Sequence, residues 1–316
     1  MRITVLAGGV GAARFLRGLR VAVPDADVTV IGNTGDDFAP FGLHVSPDLD
    51  TVMYTLGGGI SEEQGWGRDA ESHAVLGELA AYGAGPGWFG LGDKDIATHI
   101  LRTQLLAAGQ PLSAVTRRLC ERWQPGVMLL PMSDDPVRTH VTVELDGREQ
   151  DLHFQEWWVR LHAAVPARRI EAVGASRARP APGVLAAIGD ADFVLFPPSN
   201  PVVSIGVILA VPGIADAVRA KTVVGVSPII GGAPVRGMAD ACLTAIGVAT
   251  SAIAVAAHYG AGLLDGWLVD DQDKDAVDAP ELADLAVRSR PLYMTSVATA
   301  AEIARAAVEL ALEVRR

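Results

Sequence analysis

Two pairs of aspartates lie close together in the sequence. Asp36 and Asp37 end the segment GNTGDD, and Asp48 and Asp50 belong to the segment SPDLDTV. Clustered carboxylates beside a phosphate group suit Mg²⁺, which binds a few carboxylates plus substrate phosphates. The alternative is structural, because the second pair can serve a helix that starts near Thr51 and the first pair can form a turn. The residues alone leave both interpretations open.

A glycine-rich loop follows the first residues of the chain and could hold phosphates. It consists of Gly8, Gly9, Val10 and Gly11. Such glycines allow a tight turn and close backbone approach, so that the next helix presents its N–H groups and dipole to an anion. Arg14 stands where the dinucleotide-binding fingerprint has its third glycine, which weakens the case for NAD or FAD. A tight turn needed only for packing is the alternative.

A second polar loop, PPSNPVVSIG, contains Ser199, Asn200 and Ser204. It follows a buried apolar run and precedes a helix-like segment, which is a suitable place for an anion. Ser199 or Asn200 could instead cap that helix, with Pro201 at its first position. Both roles are compatible, because an anion uses donors that the cap leaves free.

Aromatic residues beside glycines are candidates for holding a flat ring in a cleft. The turn GWFG supplies Trp88, Phe89 and Gly90, and further tryptophans lie in GWG and in HFQEWWVR. Each tryptophan could equally be part of the core. The sequence has no GxxxxGK[ST], GxSxG or HExxH motif, so phosphate-directed chemistry without a P-loop is the main expectation.

The apolar pattern predicts the elements that position these residues. A strand at 3–7, a helix at 12–19 and a strand at 28–31 form a βαβ unit and hence a parallel sheet. Continuous apolar runs at 127–130, 193–196, 223–226 and 267–269 suit buried parallel strands. We expect an α/β protein with a Rossmann-like, three-layer αβα architecture and a mainly parallel sheet.

Two additions to this single domain of residues 1–316 are expected. Amphipathic helices at 70–82, 95–108 and 112–123 predict a helical insertion at 60–125. Alternating strands at 139–145 and 150–154 around Asp146-Gly147 predict a small β-hairpin appendage at 137–160. Both offer surface for a homodimer. A long amphipathic helix at 298–314 is expected to close the domain.

Composition excludes several classes of protein. The 26 Lys and Arg against 37 Asp and Glu give a net charge of −11, which repels nucleic acid. The N-terminus has no signal-peptide pattern and no apolar stretch is long enough to span a membrane, so a soluble cytoplasmic protein is expected. Cys120 and Cys242 lack disulfide or zinc spacing and suit buried thiols.

The chain contains the motifs GGVGAARF, GNTGDDF, SPDLDTVMYTLGGG, LPMSDDPV, HFQEWWVR, PPSNPVVSIG and SPIIGGAPVRGMAD. Together they resemble the motifs of the 2-phospho-L-lactate transferase and phosphoenolpyruvate transferase family of coenzyme F420 biosynthesis, in particular its actinobacterial branch. They occur in order from residue 1 to about 295, and the longer motifs are far more specific than a glycine loop.

This resemblance implies an enzyme that uses Mg²⁺ and a guanosine-diphosphate-activated phosphoenolpyruvate or phospholactate. It would transfer the phosphoenolpyruvyl or 2-phospho-L-lactyl group to the ribityl hydroxyl of the deazaflavin Fo, with release of GMP. The motifs do not distinguish the two donors.

The resemblance also implies roles for particular residues. The nucleotide donor would lie against Gly8, Gly9, Val10, Gly11, Asn33, Ser199, Asn200 and Ser204. The metal would be held among Asp36, Asp37, Asp48 and Asp50. The deazaflavin would contact Asp50, Trp88, Phe89 and, through its main chain, Gly90. Asp50 would act on the attacking hydroxyl as base or orienter, with Asp37 as the second catalytic carboxylate.

Two other functions fit parts of the pattern. An NAD(P)-linked oxidoreductase could use the glycine loop, with Asp36 as a ribose-binding residue. A non-catalytic nucleotide-sugar sensor of the same fold could bind ligands through the same loop.

Overall fold

A computed structural model describes residues 1–260 and 262–315. In this part of the chain the strands are β1 (Arg2–Ala7), β2 (Asp27–Gly32), β3 (Met128–Pro131), β4 (Arg138–Leu145), β5 (Arg148–His153), β6 (Ala167–Val173), β7 (Phe193–Phe196), β8 (Val223–Val226), β9 (Ile229–Ile230), β10 (Ala233–Pro234), β11 (Gly266–Val269) and β12 (Ala286–Ser289).

The helices of the described residues surround these strands. They are α1 (Gly9–Ala22), α2 (Pro47–Leu56), α3 (Ala74–Ala81), α4 (Asp93–Ala107), α5 (Leu112–Trp123), α6 (Val184–Asp190), α7 (Gly206–Leu209), α8 (Ile214–Arg219), α9 (Ala239–Ala245), α10 (Ala252–Tyr259) and α11 (Val297–Glu313). Short 3₁₀ or π-helical turns connect several of them.

A seven-stranded sheet in the order β12-β11-β8-β7-β1-β2-β3 forms the centre, and all its pairings are parallel. The apolar runs predicted as strands β7 and β8 have the predicted bounds, because both faces of these strands are buried. The sequence pattern missed β12. This strand pairs along only one side and has two exposed residues, so its apolar pattern is weak.

Helices cover both faces of the sheet. Val5 of β1 packs into one core cluster with Phe15 of α1, while the neighbouring Leu6 packs into the other with Ile188 of α6. Side chains of a strand alternate between faces, so one strand contributes to two cores. A Cβ atom at Gly18 would lie 2.3 Å from the backbone of Ala300, and this glycine therefore lets α1 and α11 pack closely. The predicted three-layer αβα fold is confirmed.

The segment between α2 and β3 contains the helices α3, α4 and α5. Helix α3 is shorter than the predicted span of 70–82. Ala70 has a φ of 50°, which is incompatible with a right-handed helix. The helix begins at Ala74, where the Asp93 carboxylate accepts hydrogen bonds from the backbone N–H groups of Ala74 and Val75 at 3.1 and 3.0 Å.

The predicted hairpin is present as β4 and β5, which pair antiparallel. Asp146 and Gly147 both have positive φ, at 51° and 71°, as a tight hairpin turn requires. The appendage is larger than expected, because β6 pairs with the other edge of β4 and makes a three-stranded antiparallel sheet. Residues 154–160 form helical turns and lie outside the strands.

The sheet order places the polar loops together. β1 is paired with β2 on one side and β7 on the other, so the loops that follow these three strands meet at the carboxyl edge. None of the described helices combines the length and apolar character needed to cross a membrane.

Candidate functional site

A cavity of about 620 Å³ opens at the carboxyl edge of the sheet, next to β1 and β7. Its walls include the glycine loop, the aspartate segment of α2, the loop after β7, parts of the helical insertion and the loop before α9. The cavity therefore brings together segments that lie more than 200 positions apart in the sequence.

The glycine loop forms one wall. Gly8 is the extended N-cap of α1, and Gly9, with φ of 74°, starts the helix. A Cβ atom at Gly11 would lie 2.4 Å from the carbonyl oxygen of Pro198, and one at Gly8 would lie 2.6 Å from Ser204 Cβ. The glycines thus permit tight packing and also place the N-terminus of α1 in the wall of the cavity. Gly8, Gly9, Val10 and Gly11 all line it.

The loop after β7 packs directly against the glycine loop. Ser199 Oγ donates a hydrogen bond to the Gly8 carbonyl at 2.9 Å and accepts one from the Gly8 N–H at 3.3 Å. Asn200 Oδ1 accepts from the N–H groups of Val202 and Val203, so the predicted capping role is confirmed. Ser199, Asn200 and Ser204 also line the cavity, beside a π-helical turn that precedes α7.

Two of the four aspartates, Asp36 and Asp48, form an acidic part of the cavity wall. Burial raises the pKa of Asp48 to about 6, although hydrogen bonds from Asn33 and Gly9 oppose the shift. Burial and the nearby charges of Asp48 and Asp37 raise the pKa of Asp36 well above its ordinary value. Each carboxylate is thus costly to ionise in the absence of a cation.

Asn33 lies behind this wall and outside the cavity lining. Its Nδ2 donates to Asp48 Oδ2 at 2.9 Å and to the Val203 carbonyl at 3.2 Å. Its Oδ1 accepts from the Gly35 N–H at 2.9 Å. The side chain therefore fixes the aspartate carboxylate relative to the loop after β7, which is an indirect role in the site.

Asp37 also lies outside the lining of the cavity. Its Oδ2 contacts His44 Nε2 at 2.9 Å and accepts from Ser46 Oγ at 2.8 Å. Burial raises its pKa, and the contacts with His44 oppose that shift. The structure thus separates Asp37 from Asp36, Asp48 and Asp50, which line the cavity.

The acidic wall fits a cation in a limited way. Among the residues that the structure describes, Asp36 Oδ1 is buried without a hydrogen-bond partner, and a cation would satisfy it and offset its repulsion with Asp48. Among the described residues, no three His, Cys, Asp or Glu side chains form a metal-binding group. Two carboxylates plus substrate phosphates are a usual ligand set for Mg²⁺ but not for a metal held by protein alone.

Asp50 lines the cavity in a different environment, which the sequence did not predict. Arg102 of α4 engages both of its carboxylate oxygens, with Nη1 at 3.0 Å from Oδ2 and Nη2 in contact with Oδ1. Arg102 is only 1% exposed. It also contacts His99 Nδ1 at 3.2 Å. Asp50 is therefore held in a fixed orientation by contacts to both of its carboxylate oxygens.

Further polar groups from α2 and from the insertion surround Asp50. Tyr54 donates from its hydroxyl to Asp95 Oδ1 at 2.7 Å, and His99 Nε2 lies 3.4 Å from the same oxygen. These three residues line the cavity, and sequence reasoning missed them. The spacing of Asp95 and His99 by one helical turn was the available signal.

The aromatic residues divide between the cavity and the core. Phe89 and Gly90 line the cavity, whereas Trp88 packs behind them on Phe38, with ring centroids 6.1 Å apart and planes at 14°. Trp66 and Trp158 line the cavity as well. The remaining tryptophan of the WW pair, Trp157, is a core residue whose Nε1 donates to the Val165 carbonyl at 2.8 Å.

Comparisons with known proteins place this chain in a family. The profile of the family described as 2-phospho-L-lactate transferase CofD matches residues 3–295. A protein of Streptomyces griseus named phosphoenolpyruvate transferase is 67% identical, and the match covers 100% of both chains. A protein of the same name from Thermobifida fusca is 66% identical, and the match covers 100% of this chain and 99% of that one.

A solved structure with a similar fold is a member of the UPF0052 family from Bacillus halodurans. It has a TM-score of 0.64 and 18% sequence identity, and the match covers 97% of this chain and 99% of that one. This likeness concerns the fold alone. The profile match and the curated relatives show that the chain is an enzyme of the 2-phospho-L-lactate transferase (CofD) family.

Proposed function

We propose that the protein transfers a phosphoenolpyruvyl group from a guanosine-diphosphate-activated donor to the ribityl hydroxyl of the deazaflavin Fo and releases GMP. The proposal rests on one cavity that brings together the N-terminus of α1, which suits a phosphate, two aspartates with raised pKa values and an aromatic edge. The curated relatives' name, phosphoenolpyruvate transferase, favours this donor over the phospholactate analogue.

The donor's diphosphate is proposed to lie at the N-terminus of α1. The positive end of the helix dipole and the backbone N–H groups favour a phosphate there. Gly9, Gly11 and Ser204 line this region, and side chains larger than hydrogen at the two glycine positions would fill the space or strain the backbone. We expect Ser199 and Asn200 to border the same subsite.

Asp36 and Asp48 would hold Mg²⁺ together with the donor's phosphates. The ion supplies electrostatic stabilisation of the charge on the phosphate oxygens. The fit rests on the raised pKa of both carboxylates and on the unpartnered oxygen of Asp36. Asn33 and Asp37 lie outside the cavity lining, where they can hold this pair of aspartates in place, as Asn33 does through its hydrogen bond to Asp48.

The acceptor is proposed to lie on the other side, against Asp50, Phe89 and Gly90. The deazaflavin ring would pack on the aromatic edge, and the ribityl hydroxyl would donate a hydrogen bond to Asp50. The Arg102 contact favours Asp50 as an orienter, because Arg102 fixes both carboxylate oxygens in one geometry. Phosphoryl transfer depends mainly on positioning and charge stabilisation, so orientation is sufficient.

The direct test incubates the purified protein with Fo, Mg²⁺ and each activated donor. Mass spectrometry should detect GMP and the phosphoenolpyruvyl product, with less product from the phospholactyl donor. Absence of GMP release with both donors would reject the proposal. Light scattering in the same preparation tests the proposed homodimer.

Asp50→Asn tests the acceptor side. Turnover should be lost while GDP affinity stays within a few-fold of the wild type, since Asp50 faces the acceptor and not the glycine loop. An equal loss of GDP affinity would contradict this role. No observation specifically favours an NAD(P)-linked oxidoreductase or a nucleotide-sugar sensor; unchanged turnover in Asp50→Asn would reopen the sensor.

A further inference from the structure

Two arginines, Arg14 and Arg236, line the cavity. Arg14 lies in the second turn of α1, and Arg236 lies in the loop between β10 and α9. Within residues 1–260 and 262–315, neither guanidinium forms a salt bridge, whereas Arg17 on the next turn of α1 pairs with Glu62. The pKa of Glu62 is lowered by its hydrogen bond with Arg17 and also by the charge of Arg14, so Glu62 offsets part of that charge. Arginines that line a cavity without a salt bridge still favour an anionic ligand.

The surrounding backbone holds Arg236 in place. Its Nη2 donates to the Gln64 carbonyl, in the loop between α2 and α3. A Cβ atom at Gly65, which has φ of 75°, would lie 3.0 Å from both Arg236 Nη1 and Val10 Cγ1. The loop thus packs against both the arginine and the glycine loop, which keeps the guanidinium close to the N-terminal turns of α1.

The two arginines are close enough to repel each other. Burial lowers the pKa of Arg236, and the positive charge of Arg14 lowers it further. Arg236 is exposed and Arg14 is half-buried, so solvent screens part of this repulsion, and a bound anion would offset the remainder.

The sheet order decides which part of the donor these arginines face. Arg236 and the lining residue Ser227 follow β8, on one side of β1, whereas the aspartates follow β2 on the other side. An in-line displacement places the attacking hydroxyl and the leaving group on opposite sides of the phosphorus. With the acceptor against Asp50, the leaving group lies on the side of Arg236.

Resting on the proposed function, we propose that Arg14 and Arg236 bind the phosphate of the donor's guanosine half and offset the charge that develops on it as GMP leaves. The hydroxyl oxygen forms a bond to the distal phosphorus, and the bond from that phosphorus to the bridging oxygen breaks. The electron pair stays on the GMP phosphate, and the hydroxyl proton passes to that phosphate or to water. Arginine forks suit this growing anion.

The test measures binding of GMP and of guanosine to the full-length protein by isothermal titration calorimetry. Arg14→Gln and Arg236→Gln should each weaken GMP binding by about 10- to 100-fold, in the range for a hydrogen bond to a charged group, and leave guanosine binding unchanged. Arg236→Lys should retain part of the affinity. Arg219→Gln is the matched control, because it removes the same charge from an exposed pair with Asp216 outside the cavity.

Steady-state kinetics provides the second readout. Both glutamine variants should lower kcat at saturating donor, and the Arg219→Gln control should not. If GMP affinity is unchanged while KM for the activated donor rises, the pair binds the carboxylate of the three-carbon acid and the inference is wrong. An equal loss of guanosine affinity also overturns it. Failure of the wild-type protein to bind GMP would instead reject the proposed function itself.

Discussion

Replacing Arg102 with methionine is expected to destabilise the fold strongly. Arg102 is 1% exposed, and its guanidinium contacts both carboxylate oxygens of Asp50. Methionine keeps much of the side-chain length but leaves the Asp50 carboxylate buried without its cation. Removing one partner of a buried pair costs about 3–5 kcal/mol, whereas an exposed pair contributes about 0–1 kcal/mol.

The free energy of unfolding from urea titration measures this effect. Arg118→Met provides the matched control, because Arg118 pairs with Glu121 on the surface with side chains 66% and 55% exposed. Its change should stay below about 1 kcal/mol. The double variant Asp50→Asn/Arg102→Met removes both charges, so most of the stability lost in Arg102→Met should return.

If Arg102→Met loses no more unfolding free energy than the surface control, the buried ion pair does not have the role assigned to it. A double variant less stable than the sum of the two single changes predicts would contradict that role as well. The experiment also separates two effects of Asp50→Asn. If the double variant is stable but inactive, the lost turnover reflects the missing carboxylate in the cavity and not unfolding.

Three further predictions concern the nucleotide and cation sides. Gly11→Ala should lower the unfolding free energy by about 1–3 kcal/mol and weaken GDP binding, because its Cβ would lie 2.4 Å from the Pro198 carbonyl oxygen. Urea titration measures the stability change. The control Gly77→Ala should be neutral or stabilising, because Gly77 has open space around it. In chelator, the folded Asp48 titrates near pH 6 and the unfolded one near 3.8, so the folded state binds more protons between these values. Unfolding free energy should therefore fall by roughly 3 kcal/mol as the pH rises through this window, and Asp48→Asn should lack that part of the slope. Mg²⁺ should raise the Tm more above pH 6 than below it, because protons compete for the carboxylates, and an equal shift in Asp48→Asn would contradict the assignment.

Features that depend on local pattern could be predicted from the amino-acid sequence. The strand Phe193–Phe196 and the helix Leu112–Trp123 have their predicted bounds, since a strand buried on both faces is continuously apolar and an amphipathic helix repeats its apolar residues at helical spacing. The turn at Asp146-Gly147 followed from the need for positive φ. The family motifs likewise identified the enzyme family, which the profile match confirms, and the seven-stranded parallel sheet confirms the predicted fold.

Which candidate residues face the cavity depends on long-range packing, which local sequence patterns do not report. Asp50 and Arg102 are 52 positions apart, and no local pattern could predict that one neutralises the other. Trp88 and Phe89 are adjacent in sequence, yet packing on Phe38 turns the first away from the cavity and leaves the second in its wall. Spacing along a chain reports local geometry, whereas the surroundings of a side chain depend on distant segments that the parallel sheet brings to one edge. The aspartate pairs show the consequence, because the sequence gathers four carboxylates and the fold assigns two to the acidic wall, one to an arginine and one to a histidine behind it.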